Sequence, residues 1–338
     1  MIIVMKPNTP KDEIERVISK IKQKGLTPVP LYGVERTVIA VIGDARKYEI
    51  NAWKAIRSIE KITKILKPYK LASREFKPDN TIVKINGVEI GGKDFVVIAG
   101  PCAVESEEQI MEIAEILKKK GIKILRASAF KPRTSPYSFQ GMGIKGLKLL
   151  RQVKENTGLC VETEVMDVRD VKVATEYVDM LRIGARNMQN FDLLKEVGKV
   201  NKPIILKRGM NATLKELIMA AEYILSRGNK EVILCERGIR TFETEYRNTL
   251  DISAVPTLKK LTHLPVIVDP SHAGGKRDLI LPLSRASIAA GADGILVEVH
   301  PNPEEAMSDA AQSLTPEQFS DLLKELKPIS KVMGRELK

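Results

Sequence analysis

Eight short polar clusters stand directly behind apolar runs in this 338-residue chain. They are Gly100-Pro101-Cys102; Arg126 with Lys131-Pro132-Arg133-Thr134-Ser135; Glu162-Thr163-Glu164; Gly184-Ala185-Arg186; Lys207-Arg208-Gly209; Glu236-Arg237-Gly238; Asp269-Pro270-Ser271-His272; and Glu298-Val299-His300. Two chemistries separate within them. Arg126, Lys131, Arg133, Arg186, Lys207 and Arg237 are cations, and arginine forks suit phosphate and carboxylate bidentately. Glu164, Glu236 and Asp269 can pair with only some of them, so a multiply anionic substrate is expected. Cys102, His272 and Glu298, with Asp309 eleven residues further on, form the second set. A thiolate, an imidazole and two carboxylates can hold a divalent metal, and this mixed set accepts Mn, Fe, Co or Zn. The plainer reading of Cys102 is a small apolar core filler.

Which reading applies depends on the elements behind the clusters. The apolar runs fall at Phe95–Ala99, Ile122–Leu125, Leu159–Val161, Met180–Ile183, Pro203–Leu206, Glu231–Cys235, Pro265–Val268 and Gly294–Val297. Helical stretches lie between them, at Glu107–Lys120, Ile144–Asn156, Thr213–Arg227 and Leu281–Ala290. Continuous apolar strands alternating with helices imply a parallel sheet buried on both faces. Eight units fit a (β/α)8 barrel, whose chemistry sits at the C-terminal ends of the strands. A doubly wound open sheet is the competitor, but no GxGxxG follows the first strand. Closure matters, because only a closed barrel sets strand 8 beside strand 1 and gathers Cys102, His272, Glu298 and Asp309. Cys160 and Cys235 lie inside apolar runs and read as core. His263 precedes strand 7 and faces the wrong end for catalysis, whereas His300 is at the right end for a supporting or acid–base role.

Residues 1–67 read as a separate βαββαβ, ferredoxin-like unit. Ile2–Lys6 is a strand, and Pro10-Lys11-Asp12-Glu13 opens a helix with Ile14, Val17, Ile18 and Ile21 on one face. Thr27–Tyr32 and Arg36–Ile42 flank Gly33 as two strands. Tyr48, Ala52, Ala55, Ile56 and Ile59 give a second helix, and Ile62–Leu66 a last strand. Trp53, off that helical spacing, covers either an interface or the core. The unit has no His and no Cys, so it reads as a regulatory or assembly module. Residues 68–94 follow as linker (Tyr69–Pro78) and hairpin (Thr81–Ile90 around Asn86-Gly87). Residues 95–338 are left for the barrel.

Composition narrows the function classes. The net charge is +12, but residues 1–70 hold +8 of it and aromatics are only 4%. A nucleic-acid binder would concentrate its cations in a stripe interleaved with stacking rings, so nucleic acid is not expected. No apolar run approaches the ~18–20 residues that span a bilayer, so no membrane role is expected either. The N-terminus lacks a signal-peptide pattern. Three cysteines without a CxxC pair suggest a reducing cytoplasm.

The clusters resemble the signatures of the 3-deoxy-D-arabino-heptulosonate 7-phosphate (DAHP) synthases, the first enzymes of the shikimate pathway of aromatic amino acid biosynthesis. The resemblance rests on Gly100-Pro101-Cys102, Lys131-Pro132-Arg133-Thr134-Ser135-Pro136, Ile183-Gly184-Ala185-Arg186, Leu206-Lys207-Arg208-Gly209, Cys235-Glu236-Arg237-Gly238 and Asp269-Pro270-Ser271-His272. It covers residues 68–338, and the N-terminal unit is similar to the extension of the type I-beta subgroup. It implies a (β/α)8 barrel that condenses phosphoenolpyruvate with erythrose 4-phosphate and releases phosphate. By motif match Cys102, His272, Glu298 and Asp309 would ligate the metal. Arg126, Lys131, Arg186, Lys207 and Arg237 would bind phosphoenolpyruvate, with Glu164 nearby, and Ala185 would belong to the substrate site. Pro132, Arg133 and Thr134 would position erythrose 4-phosphate. Lys131, Glu164, His272 or a metal-bound water would handle protons. The resemblance further implies a homotetramer and an aromatic amino acid effector at the N-terminal domain.

Two features depart from that pattern. Ala127-Ser128 follow Arg126 where many relatives carry Gly-Gly, which restricts the backbone near Lys131. Pro28-Val29-Pro30-Leu31 offers no side-chain donor for a phenolic hydroxyl, so a weaker response to tyrosine than to a less polar ligand is expected. Three rivals remain. One is the 3-deoxy-D-manno-octulosonate 8-phosphate synthase on the same barrel, whose loop typically lacks Pro132-Arg133-Thr134. Another is a Schiff-base aldolase using Lys207 or Lys131. The third is an amino-acid-binding regulator with a degenerate barrel.

Overall fold

Short apolar runs near the N-terminus build a four-stranded antiparallel sheet from β1 (Ile2–Met5), β2 (Thr27–Tyr32), β3 (Thr37–Ile42) and β4 (Ile59–Thr63), in the order β2-β3-β1-β4. The computed structural model describes residues 1–33, 35–43, 53, 56–63 and 68–338. Helix Lys11–Gln23 buries Ile14, Val17, Ile18 and Ile21. Each such side chain contributes roughly 1.5–3 kcal/mol. Trp53 is fully buried in the same apolar cluster as Ile3, Met5, Ile39 and Val41, which settles its role as core. Ile59, expected on a second helix, opens β4 instead, bonded beside Met5. The other residues expected on that helix, apart from Ile56, and Leu66 lie outside the described residues. Contacts divide the chain into Met1–Asp79 and Asn80–Lys338. Tyr69, Leu71, Ala72 and Phe76 are buried, so the expected linker is packed and not a solvated tether.

The second unit begins with the hairpin β5 (Val83–Ile85) and β6 (Val88–Ile90). Asn86 and Gly87 both take positive φ at its turn, as a two-residue hairpin requires. Eight parallel strands follow: β7 (Asp94–Gly100), β8 (Ile124–Arg126), β9 (Cys160–Val165), β10 (Met180–Ile183), β11 (Ile204–Lys207), β12 (Val232–Glu236), β13 (Val266–Val268) and β14 (Gly294–Glu298). They pair in sequence order, and β14 returns to β7 with Glu298 opposite Gly100, which closes the barrel. The fold is the (β/α)8 barrel with a ferredoxin-like unit before it. A last short strand, β15 (Glu336–Leu337), pairs with β7 at Asp94 and Phe95. Val83, Val88 and Ile90 of the hairpin join Val96, Ile98, Ile124, Met180, Ile205, Ile233, Ile267 and Leu296 in one buried cluster. Asn86 Nδ2 donates to the carbonyls of Lys123 and Gly158, just ahead of β8 and β9. The hairpin therefore stoppers the N-terminal end of the barrel.

The strands run further than the apolar runs suggested. β8 ends on Arg126, β9 continues through Glu164, β11 ends on Lys207, β12 on Glu236 and β14 on Glu298. These residues keep full backbone register, with Arg126 opposite Glu162 and Glu236 opposite Val268. Arg126, Glu164, Lys207 and Glu298 point into the barrel and pair there with opposite charges, while Glu236, next to inward-facing Cys235, points outward to Arg208, so the sheet is not forced to end where the apolar run does.

Candidate active site

Alternation along the strands stacks a charged layer above the apolar plug. Arg126, Arg182, Lys207, Glu162, Asp269 and Glu298 are all buried at this level, three cations against three anions. Arg126 Nη1 lies 2.6 Å from Glu298 Oε1. Lys207 Nζ is bonded to Asp269 Oδ2. Arg182 reaches Glu162 Oε1 at 3.4 Å and Glu164 Oε2 at 3.5 Å, and donates to Ser128 Oγ at 2.5 Å. Since this layer balances itself, it leaves the charges above it uncompensated.

Those charges line a cavity of about 370 Å³ at the C-terminal end. Lys131, Arg133, Arg186, Lys207 and Arg237 face it together with Arg240 and Arg247, against only two carboxylates, Glu164 and Asp309. Leaving aside Lys207, which Asp269 already engages, six cations against two anions select a ligand with several negative charges. Pro132, Thr134 and Ala185 also line it, as the motifs implied. Arg126 does not; it lies beneath, on Glu298. Gly184 has a steric reason, since a Cβ there would come within 2.0 Å of Glu164 Oε1. The missing side chain lets the Glu164 carboxylate lie against the backbone at the cavity wall.

Closure gathers the donor set expected from strands 1, 7 and 8. One atom from each of Cys102, His272, Glu298 and Asp309 lies within 4.8 Å of the others. Gly100 permits the approach of the Cys102 loop, because its φ is +150° and a Cβ would meet the Arg126 carbonyl at 2.2 Å. Cys102 Sγ lies 3.1 Å from Asp309 Oδ2 and 2.8 Å from Lys131 Nζ. His272 Nε2 faces Glu298 Oε1 at 3.4 Å and Asp309 Oδ2 at 3.7 Å, while Nδ1 sits 2.8 Å from Asp269 Oδ2. A carboxylate behind the far ring nitrogen orients a metal-binding histidine. Burial, helped by Glu298, pushes the Cys102 thiol up to about 12. Burial likewise lowers His272, against the pull of Asp269 and Glu298. Asp309 is held well below the usual carboxylate range because His272 and Arg247 outweigh its burial. A buried, reluctant thiol among two ionised carboxylates and a neutral imidazole fits a divalent cation as the group that would compensate it.

The two departures in the strand-2 loop are accommodated. Neither Ala127 nor Ser128 takes a positive φ. Ser128 N donates to Cys102 O at 3.3 Å, its carbonyl accepts from Val104 N, and its hydroxyl serves Arg182. Residues not anticipated from sequence complete the site. Arg182 was hidden inside the run Met180–Ile183, where a lone charge on a strand buried on both faces was the available signal. Arg247 bonds Gln312 Oε1 at 2.8 Å, and Gln312 Nε2 donates to Glu298 Oε2 at 2.6 Å. Arg247 sits in a loop and Gln312 ends a single 3-10 turn, and neither gave a sequence signal. His263 lies at the opposite end, bonded to Thr81, and Cys235 is core, as expected.

A closed barrel with a cation-lined mouth above a thiol–imidazole–carboxylate set defines an enzyme for multiply anionic substrates. Residues 76–333 match the DAHP synthetase I family, and residues 1–67 match the DAHP synthase ferredoxin-like domain. A phospho-2-dehydro-3-deoxyheptonate aldolase of Thermotoga maritima is 50% identical over 334 residues, 99% of either chain. The crystal structure of the T. maritima protein superposes with a TM-score of 0.80 at 49% identity, covering 100% of this chain and 99% of that one. A 2-dehydro-3-deoxyphosphooctonate aldolase of Geobacter sulfurreducens is 35% identical, over 74% of this chain and 98% of its own. The chain belongs to the DAHP synthetase I family, the synthases that open the shikimate pathway.

Proposed function

We propose that the chain joins phosphoenolpyruvate to erythrose 4-phosphate, forming 3-deoxy-D-arabino-heptulosonate 7-phosphate and phosphate with a divalent metal on Cys102, His272, Glu298 and Asp309. The observation that carries this is the seven-cation cavity lying directly over the four-donor set. Arg186, Lys207 and Arg237 hang from adjacent strands and take the phosphate and carboxylate of phosphoenolpyruvate. Pro132, Arg133 and Thr134, on the neighbouring loop, position the aldose phosphate, and Ala185 shapes the wall between. When bound, the metal supplies a Lewis acid that polarises the aldehyde.

The enol carbon C3 of phosphoenolpyruvate attacks the aldehyde carbon, forming the new C–C bond and leaving cationic character at C2. Lys131, beside Cys102 and facing the cavity, delivers a proton to the aldehyde oxygen as it becomes a hydroxyl. Glu164, held by Arg182 and Gly184, takes a proton from the water that adds at C2. The C2–O bond of the hemiketal phosphate then breaks, the C2 hydroxyl passes its proton to the departing phosphate, and the ketone is left at C2. His272 acts as a ligand, since Nδ1 is engaged by Asp269 and Nε2 faces the carboxylates. Arg126 acts from below by holding Glu298. Lys207 is engaged by Asp269, which argues against a Schiff base there.

The N-terminal unit serves as a regulatory module for an aromatic amino acid effector in a cytoplasmic homotetramer, a reading supported by its match to the DAHP synthase ferredoxin-like domain. Comparing turnover with erythrose 4-phosphate and arabinose 5-phosphate tests the substrate assignment. Pro132-Arg133-Thr134 calls for strong preference for the four-carbon sugar; equal or greater turnover of the five-carbon sugar would reverse it.

A further inference from the structure

The loop after β14 brings two residues to the mouth. Asp309 completes the donor set. Ser308 Oγ lies 3.4 Å from Cys102 Sγ and accepts from Arg133 Nη1 at 2.5 Å. Asp309 is in the left-handed region, with φ +56°, a strained conformation for a non-glycine residue that persists only where the surroundings impose it. The base of the loop is fixed by the backbone, with His300 N donating to Leu314 O and Leu314 N to Glu298 O. Its middle is clasped by side chains from another loop.

His300 is buried, and its Nδ1 accepts from Asn302 N at 3.1 Å. In the neutral ring the proton therefore sits on Nε2, which lies 3.2 Å from Glu105 Oε2. The other oxygen of Glu105 accepts from Met307 N at 3.0 Å. Glu105 stands three residues after Cys102 in the chain, and Met307 immediately precedes Ser308. We infer that Glu105 and His300 form a latch between the Cys102 loop and the Asp309 loop, and that this latch sets a metal ligand and the partner of Arg133 at once. Both are positioning residues, since neither reaches the cavity or the donor set itself. The inference rests on the metal and aldose reading of the site given above. It also makes a split expectation, because the phosphoenolpyruvate cations Arg186, Lys207 and Arg237 hang from β10, β11 and β12, away from both latched loops.

The test is a Mn²⁺ titration of metal-stripped protein by calorimetry, with KM for each substrate, for the wild type, His300→Phe and His300→Gln. His300→Phe keeps a ring but removes both nitrogens; it should weaken Mn²⁺ binding by about ten- to a hundredfold. It should also raise KM for erythrose 4-phosphate while KM for phosphoenolpyruvate stays near the wild-type value. His300→Gln, whose amide can still donate to Glu105, should recover most of the metal affinity. A folded His300→Phe that binds Mn²⁺ as tightly as wild type, with an unchanged aldose KM, overturns the latch. If His300→Phe does not fold, Glu105→Gln decides by the same titration, weakened affinity supporting the latch and unchanged affinity overturning it. Wild-type protein that binds no Mn²⁺ removes the metal reading itself, a failure visible before any variant is compared.

Discussion

The two ends of the barrel are built from the same eight strands and have opposite interiors. At the N-terminal end Val96, Ile98, Ile124, Met180, Ile205, Ile233, Ile267 and Leu296 pack against the hairpin residues Val83, Val88 and Ile90. Two residues further along six of the eight strands, on the same inner face, the side chains are Arg126, Glu162, Arg182, Lys207, Asp269 and Glu298, equally buried. The lower half draws stability from apolar burial. A balanced layer of buried ion pairs adds little by comparison, although removing one partner is costly. The upper half is thus tolerated for what it positions, and mutations at the two ends should separate activity from stability.

The largest separation is expected at Lys131. Lys131→Met keeps the unbranched stem of the side chain but removes the ammonium beside Cys102, and kcat/KM should fall by about a thousandfold, the scale of lost acid–base catalysis. The melting temperature should change little; a matching loss of stability would mean that Lys131 belongs to the structural layer instead.

Arg208 tests a buried pair on the outer side of the same strands. It binds the buried Glu236 and the half-buried Asp251, both at 2.8 Å, so Arg208→Met should cost about 3–5 kcal/mol by leaving the buried Glu236 carboxylate unpaired. The pH sign follows from Glu236, whose carboxyl is already raised above the ordinary value of 4.5 by burial, with Arg208 opposing. Without Arg208 it rises further, so the folded protein retains a proton that the unfolded chain gives up above that ordinary value. Stability is then greatest at low pH and is lost as pH rises. Denaturant unfolding at pH 5 and pH 8 should show a wider gap between variant and wild type at pH 8; a gap that narrows would contradict the pairing.

The opposite end gives the smaller effect. Ile90→Ala leaves a cavity under the barrel and should cost about 3 kcal/mol of stability with kcat unchanged, read by unfolding and by turnover well below the transition. Loss of turnover in a folded variant would show that the hairpin reaches the chemistry.

Much of this organisation was visible in the chain. Continuous apolar runs are what a doubly buried parallel strand requires, so the barrel and the side on which the clusters emerge followed from the runs alone. Gly100 to Cys102, Asp269 to His272 and Glu298 were legible as strand-end residues, and closure supplied the adjacency. The extent of the strands was not, because an ionisable residue reads locally as a strand end when its partner is remote: Arg126 belongs in β8 only because Glu298 faces it from β14. Arg182 was concealed for the same reason, its partners Glu162 and Glu164 lying on another strand. Ile59 has the spacing of a helix but pairs beside Met5, a tertiary contact that outweighs a local pattern. Arg247, Gln312 and the Glu105–His300 contact join loops far apart in sequence and carry no periodic signal.

The most direct test of the account is phosphate release from phosphoenolpyruvate and erythrose 4-phosphate by wild type and by Cys102→Ala, each with Mn²⁺ and after EDTA. Turnover should need both substrates, disappear with EDTA, return with Mn²⁺, and be lost in Cys102→Ala at the same metal concentration. Turnover that survives both EDTA and Cys102→Ala would contradict the assignment of Cys102, His272, Glu298 and Asp309 to a metal.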